Sequence, residues 1–108
     1  MAKGDHAGVL EELIMLAILK SGEDAYGLSI QRMLRDAGRS LELPTIYTTL
    51  ERLEDKGWVS SELGGATAVR GGRAKRLFRV EGAGQQALRD AESARRRLGA
   101  LKPALGRI

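Results

Sequence analysis

Arg70, Arg73, Lys75, Arg76 and Arg79 place five basic side chains within ten positions, with no acidic residue among them and with Gly71 and Gly72 interleaved. Guanidinium and ammonium groups at that density suit the neutralisation of closely spaced anions such as phosphates, and the glycines let backbone approach them. A solvated charged hairpin is the plainer reading of the same residues. Other chemistry lacks its reagents. The chain of 108 residues has no cysteine and one histidine, His6, so thiolate nucleophiles, disulfides, histidine metal clusters and a Ser/His/Asp arrangement have no parts to be built from. His6 reads most simply as a terminal residue. The expectation is a protein that is not an enzyme and uses no metal or cofactor.

The position of the charge says more than its total. Residues 1–68 hold 7 basic and 11 acidic side chains, whereas residues 69–108 hold 11 basic and 3 acidic, beneath an overall formal charge of +4. A basic device is carried on an acidic body, which points to a polyanionic partner. A hydrophobic content of 43% and a mean hydropathy of −0.25 suit one ordinary core. No apolar run reaches the ~18 residues of a spanning helix, and no secretory pattern opens the chain, so a soluble cytoplasmic protein without a membrane partner is expected.

Four helices and a hairpin must position these groups. Residues 8–20 set Val9, Leu10, Leu13, Ile14, Leu16, Ala17, Ile18 and Leu19 around most of a helix, a stripe too wide for one core-facing surface. Such a helix buries two faces, one on the core and one on a partner chain. Asp24 is the N-cap candidate for a second helix over about 25–37, stopped by Gly38. Pro44 suits the start of a third helix over 44–56, stopped by Gly57, with Ile46, Leu50 and Leu53 on its core side. The period then changes to two. Residues 58–63 and 74–80 read as strands around a glycine-rich tip, with Trp58 closing the core and only one of Leu77 and Phe78 able to face it. From residue 83 a last helix carries Ala87, Ala91, Ala94, Leu98 and Leu101 at 4-3-4-3 spacing, up to Pro103.

The fold class is therefore mainly α with a small β-hairpin: a winged helix-turn-helix over residues 1–82, and a C-terminal dimerisation helix and tail over 83–108, in one compact unit. In such a layout the third helix offers Thr45, Thr48, Thr49 and Arg52 to base edges of double-stranded DNA. The wing over 64–75 brings Arg70, Arg73 and Lys75, with Arg76 just beyond, to the phosphates. Asp55 lies about 20° from Thr48 on the helical wheel, so only the first two turns of the helix enter the groove. Leu10 and Ile14, with the Ala87, Ala91, Ala94, Leu98 and Leu101 seam, form the expected homodimer surface. Several residues have two readings. Tyr47 suits a phosphate contact or the edge of the core, Tyr26 first-turn packing or a phosphate, and Arg52 a base or a pair with Glu51 or Asp55. Arg95, Arg96 and Arg97 suit a solvated face, DNA or an acidic partner.

Four stretches, LEELIMLAILKSG, AYGLSI, PTIYTTLERLEDKGWVSSE and GGRAKRLFRVEGAGQQAL, resemble the PadR family of winged-helix transcriptional regulators over almost all of residues 9–90. The resemblance implies a homodimer on pseudo-palindromic promoter DNA, usually a repressor, with the first and last helices at the interface. It maps DNA reading onto Thr45, Tyr47, Thr48 and Arg52 and the wing onto Arg70 through Lys75. The single C-terminal helix is that of the short subfamily. No aromatic residue lies beyond Phe78 to serve the planar-ligand pore of some members, so any small-molecule effector is left unidentified. The alternative function is a winged-helix module that docks an acidic protein partner.

Overall fold

The computed structural model describes residues 6–64 and 75–99. Helix α1 (Val9–Ser21) is followed by a short 3-10 turn (Gly22–Asp24), α2 (Gly27–Asp36), α3 (Leu43–Asp55), strands β1 (Val59–Leu63) and β2 (Arg76–Val80), and α4 (Gly82–Arg97). The four helices and two-stranded antiparallel sheet are the expected fold class.

Helix α1 is the hub. Ile14, Met15, Ala17 and Ile18 are buried on it, and it packs on α2, α3 and β2. Ile30 and Leu34 of α2, Ile46, Leu50 and Leu53 of α3, and Val59, Phe78 and Val80 of the hairpin complete the core with Trp58. Trp58 closes the core as its position at the strand start implies. Phe78 rather than Leu77 faces inward, because pairing of Val59 with Val80 and Ser61 with Phe78 puts Phe78 and Val80 on one face. The Phe78 N–H donates to the Ala25 carbonyl at 2.8 Å, tying the hairpin to the entry of α2.

The helix stops behave as read: Gly38 and Gly57 take φ of 93° and 78°, a region that L side chains rarely adopt. The start of α2 does not. Asp24 lies in the 3-10 turn, and Tyr26 occupies the N-cap, its N–H donating to the Ser29 hydroxyl at 2.9 Å. The polar side chain sits inside the first turn and reaches back, so the cap begins two residues later than an Asp24 cap would place it.

The dimer expectation requires a correction at Ile14. Its side chain is wholly buried in its own subunit, because it shares the inward face of α1 with Met15 and Ile18, and it has no surface to offer a partner. Leu10 is half-buried and packs on the same core. The apolar residues that α1 leaves exposed are Val9, Leu16 and Leu19. On α4, Ala87 and Ala91 are half-buried, Ala94 and Leu98 exposed, and Leu101 lies outside the described residues. The helix ends at Arg97, short of Pro103, with Gly99 following at φ 90°.

Helix α4 approaches the body closely at Gly84. A Cβ on Gly84 would stand 2.4 Å from the Trp58 carbonyl oxygen and 2.9 Å from Val80 Cγ1. Gly84→Ala should therefore lower the unfolding free energy by about 1–3 kcal/mol, the range typical of overpacking. A denaturant midpoint equal to that of wild type would show that α4 retreats without cost.

Candidate nucleic-acid interface

Leu43 starts α3, one residue before the position expected for Pro44, whose preset φ suits the first turn, and that turn exposes Thr45, Tyr47 and Thr48. Thr45 and Thr48 lie about 60° apart around the axis, so their hydroxyl and methyl groups share a face. Arg52 is exposed in the last turn of the helix and is ion-paired with neither Glu51 nor Asp55 among the described residues. Its charge instead acts on the Glu11 carboxylate of α1. Thr49 does not join the exposed face, which corrects its assignment to DNA. It is 2% exposed, and its Oγ1 donates to the Thr45 carbonyl at 2.9 Å. Its angular position, about 40° from Thr45 on one side and about 40° from Leu53 on the other, turns it toward the core.

Two aromatic contacts join this face to the rest of the surface. A Cβ on Gly27 would lie 2.1 Å from the Tyr47 hydroxyl oxygen and 2.6 Å from its Cζ, so the Tyr47 ring rests directly on the first residue of α2. Tyr47 thus covers the edge of the core and keeps 46% of its surface exposed. Tyr26, half-buried at the N-cap of α2, carries the Lys75 ammonium 4.2 Å above its ring centre. Thr45, Thr48, Tyr47, the N-terminus of α2 and Lys75 form one connected surface. The α2 terminus contributes the positive end of the helix dipole.

The hairpin is aimed by a polar relay. Arg76 Nη1 donates to the Ser61 hydroxyl at 2.9 Å, and that hydroxyl donates to Glu54 Oε2 of α3 at 2.7 Å. Arg76, Arg79 and Lys75 are exposed, while Arg70 and Arg73 lie outside the described residues. The relay occupies one acid of α3; another cation of the helix end, Lys56, binds both carboxylate oxygens of Glu11 at 2.9 Å and lies 4.4 Å from the Trp58 ring centre. Burial pushes the Glu11 carboxyl up, but the Gly8 N–H, the Lys56 hydrogen bond and charge, and the Arg52 charge together hold it below the usual carboxylate range.

A model of the transcriptional regulator PadR-like family matches residues 15–90. The chain belongs to this family. A PadR-like transcription factor from Bacteroides fragilis shares 29% identity over 85% of this chain and 84% of that one, with a TM-score of 0.72. A PadR family transcription regulator from Clostridium difficile R20291 shares 26% over 93% and 97%, with a TM-score of 0.70. Bacillus subtilis PadR in complex with operator DNA matches in fold, with a TM-score of 0.62 at 24% identity over 77% of this chain and 46% of that one. No curated protein matches the sequence. Membership makes the chain a transcriptional regulator and not an enzyme.

Sequence reasoning did not single out Gly27, Glu11, Glu12 or Lys56. The signal for the glutamates was two carboxylates beside a helix start that is otherwise apolar, since a buried acid requires a partner. Gly27 gives no such signal, because only the folded chain brings Tyr47 onto it. Arg95 proves to be no simple solvated side chain: its guanidinium grips Glu12 with two nitrogens.

Two outcomes follow. Gly27→Ala should lower stability by about 1–3 kcal/mol, and the loss should shrink in the Gly27→Ala/Tyr47→Ala double variant, where the ring has gone; strictly additive melting shifts would show that the two residues are not in contact. Because folding lowers the Glu11 pKa, its bridge stabilises the native state above the ordinary carboxylate range and is lost as acid protonates it. Glu11→Gln should cost about 2–3 kcal/mol at pH 7 and much less at pH 3, measured by urea titration. An equal cost at both pH values would assign the effect to packing.

Proposed function

We propose that the protein binds double-stranded promoter DNA as a homodimer and acts as a repressor, with the first two turns of α3 in the major groove and the wing along the backbone. The observation that carries this reading is the connected exposed surface from Thr45 and Thr48 through Tyr47 and the α2 N-terminus to Lys75. Family membership supports it, as does the likeness in fold to a relative solved with operator DNA.

In this reading affinity and specificity come from different residues. Thr45 and Thr48 meet base edges from the first two turns, and the long Arg52 side chain reaches toward them from the turn behind, while Lys75, Arg76 and the wing arginines Arg70 and Arg73 neutralise phosphates and release counterions. The dimer uses Leu16 and Leu19 of α1 with Leu88, Ala91, Ala94 and Leu98 of α4. Leu16, Leu19 and Leu88 already line one groove of about 310 Å³ between the two helices. Two-fold symmetry then sets half-sites about one DNA turn, ~34–36 Å, apart or a multiple of it.

Genomic fragments selected by the protein provide the test. Arg73→Ala should weaken binding to selected and random duplexes alike and reduce the salt slope of log K by about one per protomer, whereas Arg52→Ala should cost about 1–3 kcal/mol on the selected site alone. Equal losses from Arg52→Ala on both duplexes would remove it from base reading. A salt-insensitive complex, or a footprint on one asymmetric half-site, would overturn the DNA-bound dimer and favour docking of an acidic protein.

A further inference from the structure

Glu11 and Glu12 are adjacent on α1, both buried, and each is held by a cation from a different helix. Lys56, just past the end of α3, binds Glu11. Arg95, near the end of α4, binds Glu12 through both terminal nitrogens. The chain of contacts also closes on its other side. The Lys56 ammonium lies over Trp58, and the Trp58 carbonyl is the backbone atom against which Gly84 of α4 is pressed. Helices α3, α1 and α4 are thus linked in a ring of Lys56, Glu11, Glu12, Arg95, Gly84 and Trp58.

The two attachments of α4 differ in kind. Gly84 is its only fully buried residue, with Ala87 and Leu88 half-buried beside it. Arg95 lies eleven residues further on, about 16 Å along the axis. One contact near a helix end leaves the angle of the helix free, whereas a second contact 16 Å away along that axis fixes it. Arg95 provides the second contact through a side chain that is itself 58% exposed, gripping a carboxylate that is 9% exposed. A bidentate guanidinium–carboxylate pair defines direction as well as distance. Without Arg95, Glu12 would be a buried anion with no partner, and α4 would have to shift to hydrate it.

We propose that the Glu12–Arg95 bridge is a brace that sets the angle of α4 against α3, and through it the separation of the two recognition helices in the dimer. Arg95 and Glu12 are positioning residues for operator spacing, and neither touches DNA. The proposal rests on the homodimer reading above, because the angle of α4 matters to spacing only where α4 carries the partner subunit.

The absence of cysteine lets a single introduced thiol report that separation. Glu51→Cys, on the exposed side of α3, is spin-labelled in the full chain, and the distance between the two labels of the dimer is measured by pulsed dipolar spectroscopy. The otherwise unaltered chain should give one narrow distribution. Arg95→Gln and Glu12→Gln should each broaden or displace it while dimer mass and circular dichroism are retained, and the charge-exchanged Glu12→Arg/Arg95→Glu chain should restore a narrow one. An unchanged distribution in Arg95→Gln would overturn the brace, as would a monomeric Arg95→Gln, since the bridge would then hold subunits together rather than aim them. Absence of any dipolar signal from the parent labelled chain would instead overturn the dimer on which the proposal rests.

Discussion

Helix α1 has no polar side wide enough to face water, and a helix that is apolar nearly all round must be covered nearly all round. That constraint orders the fold. One side of α1 receives α2 and α3, another the hairpin through Phe78 and Val80, and the remaining strip keeps Val9, Leu16 and Leu19 exposed beside α4. Where acidic groups occur on α1, at Glu11 and Glu12, burial obliges them to take partners. The partners come from the ends of α3 and of α4. The same apolar helix that builds the core is therefore also tied to the ends of α3 and α4.

The surface proposed to meet DNA depends on small residues as much as on charged ones. Gly27 lets the Tyr47 ring lie on the start of α2, and Gly84 lets α4 reach the Trp58 carbonyl. A methyl group at either site would separate elements whose distance decides what the surface presents. Polar contacts then take up one acid of α3. Glu54 accepts from Ser61, which accepts from Arg76, so one acidic residue of α3 is turned into a support for the wing. Asp55 and Glu51 stay exposed on the later part of α3, consistent with a pose in which only its first turns enter a groove.

Element order and the core were legible because they depend on periodicity and on punctuation by Pro44, Gly38 and Gly57, which are local properties. Three residues lie elsewhere than their type or spacing suggests. Thr49 shares its chemistry with Thr45 and Thr48, whereas its angular position puts it between Thr45 and Leu53, where its hydroxyl finds the Thr45 carbonyl. Ile14 was assigned outward because a fully apolar helix does not show which of its faces meets its own core. Asp24 was a plausible cap by type, but Ser29 reached Tyr26 first.

By itself, then, the sequence determined the four helices and hairpin, the inward set of Ile46, Leu50 and Leu53, the basic wing against an acidic body, and the exclusion of thiol chemistry. These follow from residue type, spacing and chain entropy within one or two turns. Only the tertiary structure decided which face of α1 is spare, that Tyr47 needs a glycine beneath it, and that Glu11 and Glu12 bind Lys56 and Arg95. The reason is distance along the chain: the partner of Glu12 is 83 residues away, and no local pattern encodes which cation a folded backbone will bring to a buried carboxylate.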